Sequence, residues 1–198
     1  MKNRVDDMYE SLRAQIEENF LLICEEIQKI YSNEYQKIWM EIASKLTELF
    51  LATVTLQQNK KKGEIKYIYI QYLHSSLNTG KWGYRIEVFD EKFYLSKEEI
   101  CVYYYPEFLY QLWEKDLMLW NQKLRPMYPR IQEYEMEKIK TEYIEYYNLI
   151  CRTLFKDLAI LILNLSAWKQ VKREKKVTIL FGGYMEKGII IHSNEIDM

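Results

Sequence analysis

The chain has 198 residues, of which 48% are hydrophobic and 29% are charged, and its formal net charge at pH 7 is −1. This length fits one domain, and the apolar content is enough for a hydrophobic core, which argues against a largely disordered chain. A net charge near zero excludes a global electrostatic field that would attract nucleic acid or an acidic membrane.

Residue usage and cysteine placement indicate an origin and a compartment. Ile, Lys and Tyr are frequent, whereas the chain has only 6 Gly and 3 Pro. This bias follows AT-rich codons and predicts a bacterium with a low-GC genome, or its phage or plasmid. The three cysteines, Cys24, Cys101 and Cys151, are far apart and have apolar neighbours. Their number and spacing favour free thiols in a reducing cytoplasm.

Targeting and membrane segments are not expected. The basic N-terminus is followed at once by Asp6 and Asp7, where a secretion signal would become apolar. The most apolar stretch, 158–168, is too short to cross a bilayer. We therefore expect a cytoplasmic protein without a membrane partner.

The first third of the chain is predicted to be helical. Apolar residues recur every three or four positions over 5–30 and again over 35–54, which is the period of an amphipathic helix. Asn33 and Gln36 resemble a capping box, so we expect two helices with a break between them. The second helix should end at a lysine-rich segment closed by Gly63, because cations complement a helix C-terminus.

The hydrophobic period then changes from helical to alternating. Apolar and aromatic residues on both faces predict a strand over 65–73 that is covered on both sides. A loop over 75–81 leads to a second strand over 84–89, and a short third strand is expected over 93–95. The segment 96–99 resembles a capping box and predicts a short helix.

The second half of the chain repeats the order of helix and strand. Pro106 can open a helix over 106–121, which Pro126 and Pro129 should end. A long helix is predicted from about 130 to 168. The remaining elements are two strands of a hairpin, 177–181 and 188–192.

An internal repeat accompanies this order. Residues 25–69 align without gaps over 137–181, and ten of the 45 aligned pairs are identical. The match suggests a duplicated unit of helix and hairpin. The alternative is coincidence, because the shift of 112 residues equals sixteen heptads and would align any two amphipathic helices in phase.

The predicted fold class is α+β and predominantly helical. We expect a single domain, 1–198, with two similar units, each a long helix plus an antiparallel β-hairpin. The approximate units are 20–95 and 130–198, joined by a helical connector over 96–129. The alternative is one continuous mixed sheet with helices on one face.

Catalytic and metal-binding patterns are weak. His74 and His192 each stand at a predicted strand end and precede a serine, but neighbours on a strand point to opposite faces and cannot form a dyad. Acidic pairs lie on predicted helix surfaces. We therefore expect no enzyme activity, no cofactor and no metal, although a deep pocket that joined the two histidines with carboxylates would indicate an enzyme.

Aromatic residues predict a protein-binding surface. The chain has 18 Tyr, and three consecutive tyrosines cannot all face inward on a regular element. Tyr, Trp and Arg dominate binding energy at protein interfaces. The predicted contact residues are Trp82, Tyr84, Arg85, Tyr103, Tyr104 and Tyr105. The predicted function is a non-enzymatic cytosolic protein-binding module, such as an immunity or antitoxin protein, an adaptor or a scaffold, whose partner is another protein or a second copy.

Lysine clusters provide an alternative function. One cluster follows the first helical region and the other follows the last, and each precedes a strand with aromatic or aliphatic residues. Their members are Lys60, Lys61, Lys62 and Lys66 in the first, and Lys169, Lys172, Arg173, Lys175 and Lys176 in the second. Cations beside aromatic rings can hold single-stranded nucleic acid. Solvated junctions between helix and strand would show the same pattern.

Overall fold

The computed structural model describes residues 3–74, 76, 82–96 and 98–195. The helices in these ranges are α1 (Arg4–Gln58), α2 (Glu107–Leu124), α3 (Glu133–Asn164) and α4 (Ser166–Gln170). The strands are β1 (Ile65–Tyr72), β2 (Tyr84–Phe89), β3 (Cys101–Tyr104), β4 (Arg173–Gly183) and β5 (Ile189–Glu195). The predicted α+β class, mainly helical, is confirmed. Across the ranges given above, every helix falls short of the length or apolar character that crossing a membrane requires.

Helix α1 is continuous over 55 residues, so the predicted break and the capping box of Asn33 and Gln36 are wrong. Neither glycine nor proline occurs between residues 4 and 58, and without them the helical hydrogen-bond ladder has no strong reason to stop. The Ser32 hydroxyl donates to the Gln28 carbonyl at 2.8 Å, one turn back, and is therefore satisfied within the helix.

The chain divides into two compact units, and each is assembled from two segments. Unit 1 consists of Met1–Tyr35 and Pro106–Ile150, and unit 2 consists of Gln36–Tyr105 and Cys151–Met198. Helices α1 and α3 contribute residues to both units. The predicted units 20–95 and 130–198, with their connector 96–129, follow sequence order instead. The internal duplication is not confirmed.

Unit 1 contains the N-terminal part of α1, all of α2 and the first part of α3. Helix α2 begins after Pro106 and ends at Leu124, shortly before Pro126, close to the predicted bounds. The core of unit 1 consists of side chains that recur at helical spacing on these three helices, among them Met8, Leu12, Ile16, Leu109, Trp120, Leu124, Ile139 and Tyr143.

Unit 2 is built on one mixed sheet in the order β3-β2-β1-β4-β5. Strands β1 and β4 are parallel neighbours, and the other pairs are antiparallel. The expected separate hairpin sheets are therefore joined into one continuous sheet, which was the predicted alternative. Parallel neighbours need a long crossover connection, and the chain between β1 and β4 provides one through α2, α3 and α4.

Alternation gives the sheet two different faces. On one face, Ile70 lies opposite Ile86, and the Tyr84 ring packs against Phe155 of α3 with ring centroids 5.9 Å apart. On the other face, Gln71 lies opposite Arg85, and both side chains are buried. The second face is therefore covered as well, as predicted for the first strand.

The segment after β2 differs from the prediction. Residues Phe93–Leu95 form a 3-10 turn rather than a strand, because Phe93 has a φ of 50° that strand geometry excludes. The Phe93 ring stacks on Phe89 with ring centroids 4.5 Å apart, which holds the turn against the sheet. The helix expected at 96–99 is also wrong: residues 98–100 are irregular and β3 begins at Cys101. Apart from Ser76, the predicted loop 75–81 lies outside the described residues.

Candidate functional site

Four of the six predicted contact residues, Trp82, Tyr84, Arg85 and Tyr104, are buried inside unit 2. Trp82, Tyr84 and Arg85 all have less than a tenth of their surface exposed. The Tyr84 ring packs against Phe155 and Phe181. This part of the predicted surface is corrected: β2 is buried on both faces and Trp82, just before it, is buried too, so these side chains belong to the core and do not present a contact surface.

The three consecutive tyrosines alternate as strand geometry requires. Tyr104 is buried, whereas Tyr103 is 41% exposed and Tyr105 is 46% exposed. The rings of Tyr103 and Tyr105 are nearly parallel, with centroids 6.4 Å apart and an interplanar angle of 16°. We name these two side chains the tyrosine platform. It lies on and just beyond β3, which is an edge strand of the sheet.

The tyrosine platform depends on a glycine. A Cβ atom added to Gly83 would lie 2.5 Å from Cδ1 of the Tyr105 ring, closer than two atoms can approach. Tyr103 lies opposite Arg85 in the register of β2 and β3. Partial burial raises the pKa of Tyr103, and the neighbouring Cys101 adds to the rise, so the Tyr103 hydroxyl is neutral at physiological pH. The space at Gly83 and the pairing of β3 with β2 thus position both rings before any partner binds.

A buried ion cluster lies on the same face of the sheet. Arg85 Nη2 is 2.7 Å from Glu87 Oε2 and 3.0 Å from Glu99 Oε2. The contact with Glu87 is an ion pair and not a hydrogen bond, because Glu87 Oε2 accepts no hydrogen bond of good geometry. Burial raises the pKa of Glu87, and burial lowers the pKa of Lys62, whose charged neighbours include Glu87. Burial therefore disfavours the charged form of both groups, and the opposite charges near them, Arg85 beside Glu87 and Glu87 near Lys62, offset part of that cost.

The buried carboxylate of Glu87 was not predicted from the sequence. Arg85 and Glu87 stand two positions apart on a strand and so share a face. That spacing was the only signal in the sequence. Their burial depends on residues from distant parts of the chain, such as Tyr184, whose ring centroid lies 5.0 Å from the Arg85 guanidinium, and the sequence does not reveal these contacts.

A second buried carboxylate lies in unit 1. Asp116 of α2 accepts hydrogen bonds from Asn19 Nδ2 at 3.0 Å, from the Tyr147 hydroxyl at 2.8 Å and from the Tyr143 hydroxyl. Burial raises the pKa of both tyrosines, and the hydrogen bond to Asp116 adds to the rise. These three partners are all donors to one carboxylate, which is the arrangement of a buried polar group that is satisfied within the fold.

The two histidines do not meet. His74 Nε2 is 2.9 Å from Glu186 Oε1 in a half-exposed pair. His192 lies opposite Ile179 of β4. Tyr72, two residues before His74, lies opposite Gly183. Ile179 and Gly183 are four positions apart, which is about 13 Å along the strand. In the described ranges, no group of three or more His, Cys, Asp or Glu side chains could hold a metal ion. The pocket that would have indicated an enzyme is not formed by these histidines.

The parallel pairing of β1 with β4 brings parts of the two lysine clusters together. Gln57, at the end of α1, is buried and donates through Nε2 to the carbonyls of Gly63 and Lys172, both at 2.7 Å. The Lys172 amide donates back to Gln57 Oε1 at 2.9 Å. We name these three hydrogen bonds the Gln57 clamp. It joins the end of α1 to the starts of both central strands.

A cleft of about 860 Å³ lies beside the Gln57 clamp. Its charged lining consists of Lys60, Lys61, Lys62, Lys92 and Lys172, together with Glu64, Asp90, Glu91, Glu98 and Glu174. Cations and carboxylates are equal in number, so the cleft has no strong field for an anion. Lys62 is buried, and its Nζ donates to the Glu98 carbonyl at 3.2 Å.

The other predicted basic residues do not line this cleft. Arg173 Nη1 donates to the Trp168 carbonyl at 3.0 Å, and its guanidinium lies over the Trp168 ring. Lys66 of β1 lies over the Tyr67 ring. The remaining lysines, Lys169, Lys175 and Lys176, are exposed. The basic clusters are therefore joined only in part.

No protein-family model, no curated protein and no solved structure matches this chain. The tyrosine platform and the lysine-lined cleft are consequently judged on their own geometry. By that standard the platform is a preformed exposed apolar surface, and the cleft is a charge-balanced depression.

Proposed function

We propose that the chain is a non-enzymatic protein-binding module whose contact surface is the tyrosine platform. Its partner is another protein, and immunity, antitoxin, adaptor and scaffold roles all act in this way. The supporting observation is the pair of exposed, nearly parallel rings of Tyr103 and Tyr105 on an edge strand. Exposed tyrosines are well suited to interfaces because they bury a large area and lose little conformational entropy.

Preorganisation supports this proposal. Gly83 leaves space for the Tyr105 ring, and the pairing of β3 with β2 fixes the backbone on which both tyrosines lie. A surface that is ordered before binding avoids much of the entropy cost of association. The edge strand β3 also offers backbone groups to an extended segment of a partner.

The test requires an identified partner and a matched control. Immobilised protein would capture partners from an extract of the source organism, and the purified partner would then be titrated calorimetrically. Replacing both rings (Tyr103→Ala with Tyr105→Ala) should weaken binding at least about 30-fold, because a hot-spot side chain contributes about 2 kcal/mol or more. Tyr134→Ala removes a ring that is 66% exposed on α3 and should leave the affinity unchanged. Equal affinities for the wild type and the platform variant would refute the proposal.

Nucleic-acid binding is the second candidate. The observation in its favour is that Lys172, from the second lysine cluster, lines the same cleft as Lys60 and Lys61. The equal number of carboxylates in that cleft counts against it. Fluorescence anisotropy with a single-stranded oligonucleotide tests it: salt-sensitive binding that Lys60→Glu with Lys61→Glu abolishes would favour this candidate over the first.

A further inference from the structure

Strand β5 forms the second edge of the sheet. It has seven residues, Ile189–Glu195, and its neighbour in the strand order is β4 alone. An edge strand presents a row of backbone groups that can pair with another strand. Proteins usually protect such edges with charges, proline, bulges or very short strands. Residues 188–194 contain no Lys, Arg, Asp, Glu or Pro.

Exposed apolar side chains lie on both faces of this edge. Ile189 lies opposite Phe181 and is 53% exposed, whereas Ile190 lies opposite Leu180, on the other face, and is 64% exposed. Met185, in the preceding turn, is also exposed. A strand that covers this edge must therefore supply apolar side chains to both faces. The three consecutive isoleucines of Ile189–Ile191 would do so, because neighbours on a strand point to opposite faces.

We propose that β5 pairs antiparallel with β5 of a second copy of the chain, around a two-fold axis at Ile190. This arrangement places Ile190 of the two copies opposite each other and Ile189 beside Ile191. Gly188 then lies opposite His192, and Lys187 lies opposite Ser193, so no like charges meet. The contact is isologous, because each copy contributes the same residues.

A register shift between Ile179 and Leu180 marks a bulge in β5 near Ile191. The bulge lies beside the proposed axis and bends the strand there, so few backbone hydrogen bonds can form between the two copies and the contact is short. A short strand pairing lies at the low end of interface size, so we expect a dimer that dissociates in the micromolar range. The pairing uses β5 and leaves β3 at the opposite edge of each sheet, so this inference is independent of the tyrosine platform.

Sedimentation velocity from about 5 to 200 μM tests the proposal. The wild type should change from monomer to dimer over this range. Ile190→Lys should weaken dimerisation at least about 10-fold, because it places two ammonium groups opposite each other. Ile160→Lys is the matched control, since Ile160 of α3 is 62% exposed and lies outside β5, and it should dimerise as the wild type does. Far-UV circular dichroism would verify that each variant is folded.

Two results would overturn the proposal: a wild type that stays monomeric at the highest concentration, or an Ile190→Lys variant that dimerises as the wild type does. The register has its own test in a chain with Cys24→Ser and Cys101→Ser. Ile190→Cys should then cross-link efficiently with a short bis-maleimide, because the two side chains face each other across the axis. Met185→Cys, displaced from the axis, should not. The reverse pattern would exclude a two-fold axis at Ile190.

Discussion

The Gln57 clamp gives a sharp prediction about stability. Gln57→Leu removes three hydrogen bonds of 2.7–2.9 Å while keeping a side chain of similar volume. A net hydrogen bond contributes about 1 kcal/mol, and each backbone group left buried without a partner costs about 1–3 kcal/mol. Water reaching the Gly63 carbonyl would recover some of this, because Gly63 is exposed. We expect the free energy of unfolding to fall by about 2–4 kcal/mol.

Gln58→Leu is the matched control, because Gln58 is the same residue one position on and is exposed. Its effect on the free energy of unfolding should stay within about 0.5 kcal/mol. Urea unfolding followed by circular dichroism measures both variants. The midpoint of thermal unfolding should fall by roughly 5–12 °C for Gln57→Leu, given the usual scaling for a chain of this size. Equal losses in the two variants, or no loss at Gln57, would refute the role given to the clamp.

Three further predictions concern buried groups. Asp116→Ala should lower the free energy of unfolding by about 3 kcal/mol or more, because two buried hydroxyls lose their acceptor. Adding Tyr143→Phe and Tyr147→Phe to this variant should recover part of the loss, because no hydroxyl is then left without a partner. Additive effects in the double-mutant cycle would contradict the shared network. The raised pKa values of Tyr143 and Tyr147 keep both protonated in the folded chain while they ionise in the unfolded chain, so stability should be unaffected below pH 10 and fall above it. The double Phe variant should flatten that alkaline slope by up to about 2.7 kcal/mol per pH unit, and an unchanged slope would exclude these tyrosines as its source. Burial raises the pKa of Cys151 to about 12, so a maleimide should label Cys24 in the native chain and Cys151 only after urea unfolding; early labelling of Cys151, detected by peptide mass spectrometry, would contradict its burial.

Local sequence patterns predicted most of the secondary structure. The alternation over 65–73 and 84–89 gave β1 and β2, since both strands are bounded by residues that favour turns. Pro106 and Pro126 predicted the position of α2, because proline limits the backbone wherever it occurs. Ser32 and Asn33 misled the prediction, because a capping residue contributes only about 1 kcal/mol and a serine hydroxyl can also be satisfied inside a helix, as that of Ser32 is.

Nonlocal contacts explain what the sequence could not reveal. Gln57 binds Lys172, 115 positions away, so nothing near Gln57 marks it as a clamp. Arg85 was expected at a contact surface because Arg is frequent at protein interfaces, but it is buried and pairs with Glu87 and Glu99. The tyrosines were tractable in part: three in a row cannot all face inward, but strand β3 was not predicted, so the sequence did not reveal that Tyr104 is the buried one.

Hydrogen–deuterium exchange of the chain with its captured partner tests the central claim most directly, because it reports which surface the partner covers. We predict that the backbone amides of β3, together with residue 105, exchange more slowly in the complex, while those of 60–64 and 172–174 around the cleft do not change. Protection confined to the cleft, with β3 exchanging as in the free chain, would contradict the assignment of the tyrosine platform as the contact surface.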